Sequence, residues 1–293
     1  MSTSSLPCTL LVDNGSYRAE STLSLRRLAS SLSEAVGDHI HAVSLLHSTK
    51  VKPEELGGVP AEIFEPFLKK RREEGVNSFL VVPMFFGHSA AIYEYLPQRV
   101  MDMRKKWPEL EVRIAPCMVD LTDRADTGVA EILADLVRKT MKEESLEQPA
   151  VTLVDHGTPR KFVNDVRNFL GVQLKELLAD EASVVEASSM ERREEEEYAF
   201  NEPLLENILG SPGFERDVIL SMLFISPGRH AGPGGDIAEI CADCEKEHEG
   251  LKTYMSDLFA THPDVIPLLA KRFQAGIASS PILAEVPPPV PCE

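Results

Sequence analysis

Two short stretches decide the reading of this chain: VDHGTPR at residues 154–160 and VDNGSYR at residues 12–18. Each closes an apolar run, VTLVD at 151–155 and LLVD at 10–13. A glycine turn signal ends each run, so both read as strands that stop abruptly and present a polar side chain, His156 or Asn14, at the carboxyl end. The two positions are offset by 142 (156 − 14). The same offset separates His88, after SFLVVPMFFG (78–87), from His230, after VILSMLFISPGR (218–229), and also separates Glu94 from Asp236. Three polar landmarks at one spacing imply an internal duplication with about 140 residues per copy, an ordinary domain size.

Outward from these landmarks each copy alternates strand-like and helix-like stretches. In the first copy strands are expected at 8–13, 39–46, 77–86 and 111–116, with helices at 19–36, 60–75, 89–106 and 124–144. In the second, strands are expected near 151–155, 183–188, 217–225 and 251–255, with helices near 159–179, 202–209, 235–248 and 263–275. Continuous apolar strands such as 77–86 suit a parallel sheet buried on both faces. Alternation with short turns implies parallel strands joined by crossovers. The expected fold is α/β: two similar flavodoxin-like domains, each an open parallel sheet with flanking helices, at 1–146 and 147–276. A proline-rich tail follows at 277–293, and the charge run ERREEEEYAFNEP (191–203) reads as a solvated loop or helix start. Such sheets take ligands at the carboxyl ends of their strands. Thr158 and Pro159 are a natural cap and first residue for the next helix, which would place His156 beside a helix N-terminus.

Composition narrows the function. The 293 residues carry 30 Lys plus Arg against 47 Asp plus Glu, a formal net charge of −17. A surface that acidic repels nucleic-acid phosphates and anionic lipid. No apolar run approaches the roughly 20 residues of a membrane helix, and the first residues lack the basic region of a signal peptide, so MSTSSLPCTLLVD reads as the approach to a strand. Five scattered cysteines make no disulfide framework and suit a reducing cytoplasm.

His156 and His230 stand at the ends of the first and third strands of their copy, which are neighbours in a doubly wound sheet, so the two can face one cleft. Neutral imidazoles there suit binding of a borderline metal such as Co²⁺, Fe²⁺ or Ni²⁺, and proton transfer near neutral pH. VDHGTPR (154–160), LFISPGRHAGPGGDIAEI (223–240) and, more weakly, VDNGSYR (12–18) and VPMFFGHSAAIYEYLP (82–97) resemble the class II chelatases, and within them the sirohydrochlorin cobaltochelatase and ferrochelatase family of cobalamin and sirohaem biosynthesis, in its long two-copy form. The resemblance implies a cytoplasmic lyase that inserts a divalent metal into a tetrapyrrole without ATP or any other nucleotide. It implies that His156 and His230 bind the metal and accept pyrrole protons, with Asp236 the acidic catalytic partner. Arg160, Lys161 and Arg229 are candidates for the tetrapyrrole carboxylates. Asn14 departs from the family pattern, since an amide binds these metals poorly and accepts no proton. One active site in the second copy is therefore expected. The first copy forms a wall, and His88 and Glu94 are a relic or a secondary metal site. Two copies in one chain replace a two-fold dimer, so a monomer is expected.

Other readings stand beside this one. The same fold could bind a metal or tetrapyrrole without turnover. Gly87-His88-Ser89-Ala90-Ala91 imitates a hydrolase nucleophile elbow with Ser89 as nucleophile, although the second copy has Ala231 in that place. Cys241, Cys244 and His248 share a helical face and are either buried side chains or zinc ligands. His39, His41 and His47 read as partly buried structural histidines.

Overall fold

The computed structural model describes residues 6–232 and 234–282. Its first sheet comprises β1 (Cys8–Asp13), β2 (Ile40–Ser44), β3 (Ser78–Pro83) and β4 (Glu111–Ile114). The second comprises β5 (Ala150–Asp155), β6 (Val184–Ser189), β7 (Asp217–Met222) and β8 (Lys252–Met255). The strand orders are β2-β1-β3-β4 and β6-β5-β7-β8, and every pair is parallel. Leu10, Leu11, Val12, Val151, Leu153 and Val154 are fully buried, as befits central strands covered on both faces. The order reverses between β1 and β3, and again between β5 and β7, which opens a crevice at the carboxyl ends of each pair.

The flanking helices are α1 (Ala19–Val36), α2 (Phe64–Glu73), α3 (Leu96–Lys106) and α4 (Gly128–Glu144), then α5 (Lys161–Leu177), α6 (Leu205–Ile208), α7 (Asp236–Glu247) and α8 (Val265–Ile277). In α1 the apolar stripe Leu25, Leu28, Ala29 and Leu32 is buried, as helical periodicity requires. Several helices differ from expectation, α4 among them, which begins at Gly128 rather than at 124. The stretch 60–75 becomes helical only at Phe64, because Ile63 still bridges the end of β2 at Ser44. The stretch 89–106 begins as a wide π turn at Ala91–Tyr95 before α3. The stretch 202–209 is reduced to a single turn, α6.

Among the described residues the chain forms two units, one reaching Asp120 and resuming at Ile266, the other spanning Leu121–Val265. These units depart from the expected halves, 1–146 and 147–276, because the last helix of each half belongs to the unit of the other. In the second unit α4 packs on α5 and β7. It buries Val129, Ala130, Ile132, Leu133, Ala134, Leu136 and Val137. At roughly 1.5–3 kcal/mol for each large side chain, this packing outweighs the exposed Arg138–Glu181 pair. In the first unit Arg272 of α8 donates to the carbonyl of Met118 at 2.7 Å, and Gly276 lies so close to Ala115 and Leu80 that a Cβ would sit 2.7 and 2.8 Å from their side chains. A repeat shows which segments are duplicated, whereas the long connection from Ile114 at the end of β4 to Gly128 at the start of α4 allows that helix to cover the other sheet. The proline-rich tail lies outside the described residues beyond Ile282, whose N–H donates to the carbonyl of Val112.

The single spacing of 142 dissolves locally. It holds for β1 and β5, but not for the strands beside them. The ends of β2 and β6, at Ser44 and Ser189, are offset by 145 (189 − 44), and those of β3 and β7, at Pro83 and Met222, by 139 (222 − 83). His88 therefore follows its strand more closely than His230 follows Met222. Insertions and deletions in the loops compensate, so the two histidines do not occupy equivalent places.

Candidate functional site

Asp155 ends β5, and the chain turns sharply at Gly157, whose φ is 89°. A Cβ there would lie 1.9 Å from the carbonyl oxygen of Glu191, so only glycine permits this approach. The N–H of Glu191 donates to the carbonyl of His156 at 3.2 Å. The first unit repeats the turn at Gly15, with φ 87° and a Cβ 1.7 Å from the carbonyl oxygen of Leu46. The local backbone is thus common to both copies, and what differs is the side chain it presents.

The turn brings His156 to His230, which comes from the loop after β7. The rings are 4.5 Å apart between centroids and meet edge to face. Both are half-buried. His230 Nδ1 lies 2.7 Å from Asp236 Oδ2, at the first residue of α7. His156 Nδ1 lies 3.0 Å from the carbonyl oxygen of Gly157. A carboxylate and a carbonyl can only accept, so in the neutral His230 ring Nδ1 carries the proton and Nε2 keeps a lone pair, whereas His156 has an acceptor at each nitrogen, the Gly157 carbonyl at Nδ1 and the Glu191 carboxylate at Nε2. With Nδ1 of each ring on an acceptor, the Nε2 atoms are the ones that could be offered to a borderline divalent ion. Glu191 Oε1, 3.4 Å from His156 Nε2, adds negative charge that would favour a cation there, whether a ring proton or a metal ion. Arg229 Nε lies 3.6 Å from Asp236 Oδ2, with most of its side chain in solvent. Arg160 and Lys161 are exposed at the start of α5.

Beneath the turn is a polar cluster that the sequence did not disclose. Asp155 Oδ1 accepts from the N–H of Gly157 at 3.0 Å and from Ser189 Oγ at 2.6 Å. Burial pushes the Asp155 carboxyl up, opposed by the Ser189 hydrogen bond and by the Arg167 charge. The fully buried Asn201 clasps Thr158, accepting from its N–H and donating to its carbonyl, both at 2.9 Å. This clasp holds Thr158 out of the helix. Its Oγ1 instead accepts from the N–H of Arg160, and α5 begins at Lys161 rather than at Pro159. Glu191 and Asn201 both fall in the charge run, whose acidic composition masked them.

The first unit lacks this arrangement. His88 packs on Tyr93, with centroids 4.1 Å apart, and its buried Nδ1 has no hydrogen-bond partner. Burial lowers its pKa to about 4. Glu94 is exposed within the π turn, so it does not match Asp236 at a helix start. Asn14 is exposed. Asp13, the counterpart of Asp155, is raised to about 6 by burial, and its Oδ1 has no partner. Ser89 Oγ is buried without a hydrogen-bond partner, so it lacks the neighbouring base that an activated nucleophile requires.

The remaining candidates fall elsewhere. Cys241 and Cys244 lie on the buried face of α7, within the core, and the ring of His248 covers Gly210. Among the described residues no group of three His, Cys, Asp or Glu side chains is arranged to hold a metal ion. His39 and His47 are exposed rather than partly buried, because their strand has ended or not yet begun. His41, within β2, is half-buried against Phe67 and Arg71. A half-open cavity of about 500 Å³ lies at the opposite, amino ends of the first sheet, lined in part by Cys8, His39 and Asn77, and contains none of the site residues.

Comparison of the fold with solved structures gives a consistent answer. SirB from Bacillus subtilis with Fe³⁺ matches at a TM-score of 0.67 and 13% identity, over 94% of this chain and 96% of that one. The fold is that of the sirohydrochlorin chelatases. SirB from Bacillus subtilis subspecies spizizenii in complex with cobalt matches at 0.64 and 13% identity, over 94% and 96%. CbiX, described as the terminal enzyme for siroheme biosynthesis in denitrifying bacteria, matches at 0.58 and 13% identity, over 91% and 98%. No protein-family model matches the chain, and no curated protein matches it significantly by sequence. Among the described residues no helix is long and apolar enough to cross a membrane.

Proposed function

We propose that the chain inserts a divalent metal, Co²⁺ or Fe²⁺ with Ni²⁺ as a further candidate, into a tetrapyrrole of the sirohydrochlorin type, without a nucleotide, at a single site in the second half. The observation that carries the proposal is the His156–His230 pair, its rings 4.5 Å apart and each Nδ1 engaged by an acceptor, so that each Nε2 can serve as a donor to metal. Two imidazoles hold a divalent ion without completing its coordination, which suits an ion that must be handed on. Insertion releases two pyrrole protons for each metal. His156, His230 and the adjoining carboxylates of Glu191 and Asp236 are groups able to accept or relay them. Asp236 fixes the His230 ring and tautomer, as carboxylates commonly do behind metal-binding imidazoles. Arg160, Lys161 and Arg229 supply local positive charge for substrate carboxylates on an otherwise acidic protein. The reading places the protein in the cytoplasm, working as a monomer.

Absorbance tests it. Protein at catalytic concentration is mixed with sirohydrochlorin and Co²⁺, and spectral conversion is followed against the spontaneous rate. Conversion of many equivalents per protein is expected. A shift that stops at one equivalent would instead support a tetrapyrrole- or metal-binding protein on the same fold.

A further inference from the structure

The second unit holds an arginine, 2% exposed, that the metal site described above does not use. Arg167 lies on α5 and spends every nitrogen of its guanidinium on neutral acceptors. Nη1 donates to Ser189 Oγ and to the carbonyl of Asn201, the latter at 2.7 Å. Nε and Nη2 donate to Asn168 Oδ1 at 3.1 and 2.9 Å, and Nη2 also reaches the carbonyl of Phe200 at 3.4 Å. Two of these partners continue to the histidine turn. Ser189 Oγ donates to Asp155 Oδ1, which also takes the N–H of Gly157. Asn201 holds Thr158 by both its N–H and its carbonyl. The residues on either side of His156 are thus tied to one buried cation.

We propose that Arg167 is a positioning residue for His156, acting through Ser189–Asp155 on one side of the turn and through Asn201–Thr158 on the other; the inference rests on the reading of His156 as a metal ligand. The first copy supplies an internal comparison. β1 and β5 begin at Cys8 and Ala150, and α1 and α5 at Ala19 and Lys161, the same offset of 142 in both cases, so Leu25 of α1 stands where Arg167 stands on α5. There the aspartate and serine are retained as Asp13 and Ser44, adjacent across β1 and β2. The arginine is gone; the Asp13 carboxyl still takes hydrogen bonds from Ser44 and from the N–H of Gly15, but Ser44 Oγ accepts from Ser48 Oγ in place of a guanidinium, and Asp13 Oδ1 is left without a partner. The copy with histidine at the turn has the buried arginine, and the copy with asparagine at the turn has leucine. Burying a guanidinium is costly unless every donor is satisfied. A device of that cost, confined to the copy that presents an imidazole, fits a need to hold that imidazole in place.

The test is Co²⁺ titration calorimetry on the full chain, with the metal alone as ligand, for Arg167→Leu, Arg167→Lys and Ser189→Ala. Each variant is made in the wild-type, His156→Ala and His230→Ala backgrounds. Arg167→Leu is expected to weaken Co²⁺ binding about tenfold or more, as loss of supporting groups around metal ligands commonly does. Arg167→Lys should recover part of the loss by restoring a donor. The leucine change should add nothing once His156 is gone and should keep its full effect when only His230 is gone, because coupled groups are non-additive and independent ones are additive. Unchanged affinity in a folded Arg167→Leu protein, or equal losses in both alanine backgrounds, would overturn the proposal. Should the leucine variant not fold, Ser189→Ala removes only the oxygen between Arg167 and Asp155. A loss of at least about threefold that vanishes with His156→Ala supports the proposal, and no loss overturns it. Coupling without sirohydrochlorin turnover by the wild type would sink the chelatase reading alone. Turnover without coupling would sink the positioning role alone.

Discussion

Replacing Asp236 by asparagine changes one charge at a contact whose geometry is known. Asp236 Oδ2 takes the Nδ1 proton of His230 at 2.7 Å, a charge-assisted hydrogen bond, and lies 3.6 Å from Arg229 Nε. Such bonds are about twice as strong as neutral ones, so an asparagine oxygen in the same place keeps about half of the interaction. The amide can also turn its NH₂ toward Nδ1. The ring proton must then move to Nε2 and occupy the lone pair that the metal needs. Weakened anchoring and the competing tautomer act in the same direction. The expected loss is about 10–100-fold in Co²⁺ affinity and in chelation rate, or about 1.4–2.8 kcal/mol. Calorimetry of Co²⁺ binding and initial rates of sirohydrochlorin metallation measure the two effects separately. An Asp236→Asn protein within about twofold of wild type in both would refute the assignment of His230 Nε2 as a metal donor held by this carboxylate.

The two glycine turns give a matched pair. Gly15→Ala and Gly157→Ala both force a Cβ into a carbonyl oxygen, at 1.7 and 1.9 Å, and each should cost about 2 kcal/mol or more of stability in urea unfolding. Of the folded proteins only Gly157→Ala should lose chelation, and equal loss in both would contradict the one-site reading. Asp13 gives a pH prediction. Its folded pKa, raised to about 6, exceeds the unfolded value near 3.8, so its contribution to stability is intact below pH 4 and is lost as pH rises through 6. Asp13→Asn should therefore stabilise the first unit by about 3 kcal/mol at pH 7 and by almost nothing near pH 3, followed by the fluorescence of Trp107, the sole tryptophan. A pH-independent difference would remove Asp13 as its source. Ser89→Ala should leave chelation unchanged, and a loss of about tenfold or more would reopen a role for that hydroxyl.

The strand–helix alternation was legible because periodicity and turn chemistry are local. The runs closing at Asp13 and Asp155 and the glycines after them announced both sheets. The His156–His230 meeting followed from topology alone, since first and third strands are neighbours in such sheets. What the sequence concealed depends on contacts between distant segments. The places of α4 and α8 depend on which sheet each apolar face covers, and both faces read alike in sequence. Nothing in the sequence marks Arg167 as buried, because only its distant partners Ser189 and Asn201 do so. Glu191 was hidden in a run of acidic residues. The uniform spacing of 142 suggested that His88 matches His230, yet compensating loop lengths produce that number and leave His88 packed on Tyr93.

The central claim is that metal insertion belongs to the second half alone. Multiple-turnover Co²⁺ insertion into sirohydrochlorin by two paired variants, His156→Ala/His230→Ala and Asn14→Ala/His88→Ala, tests it directly. The first pair should react no faster than the spontaneous rate, at least about a hundredfold below wild type, while the second should stay within about threefold of wild type, the scale of an incidental change. A second pair as damaging as the first, or a first pair that retains the wild-type rate, would contradict the account.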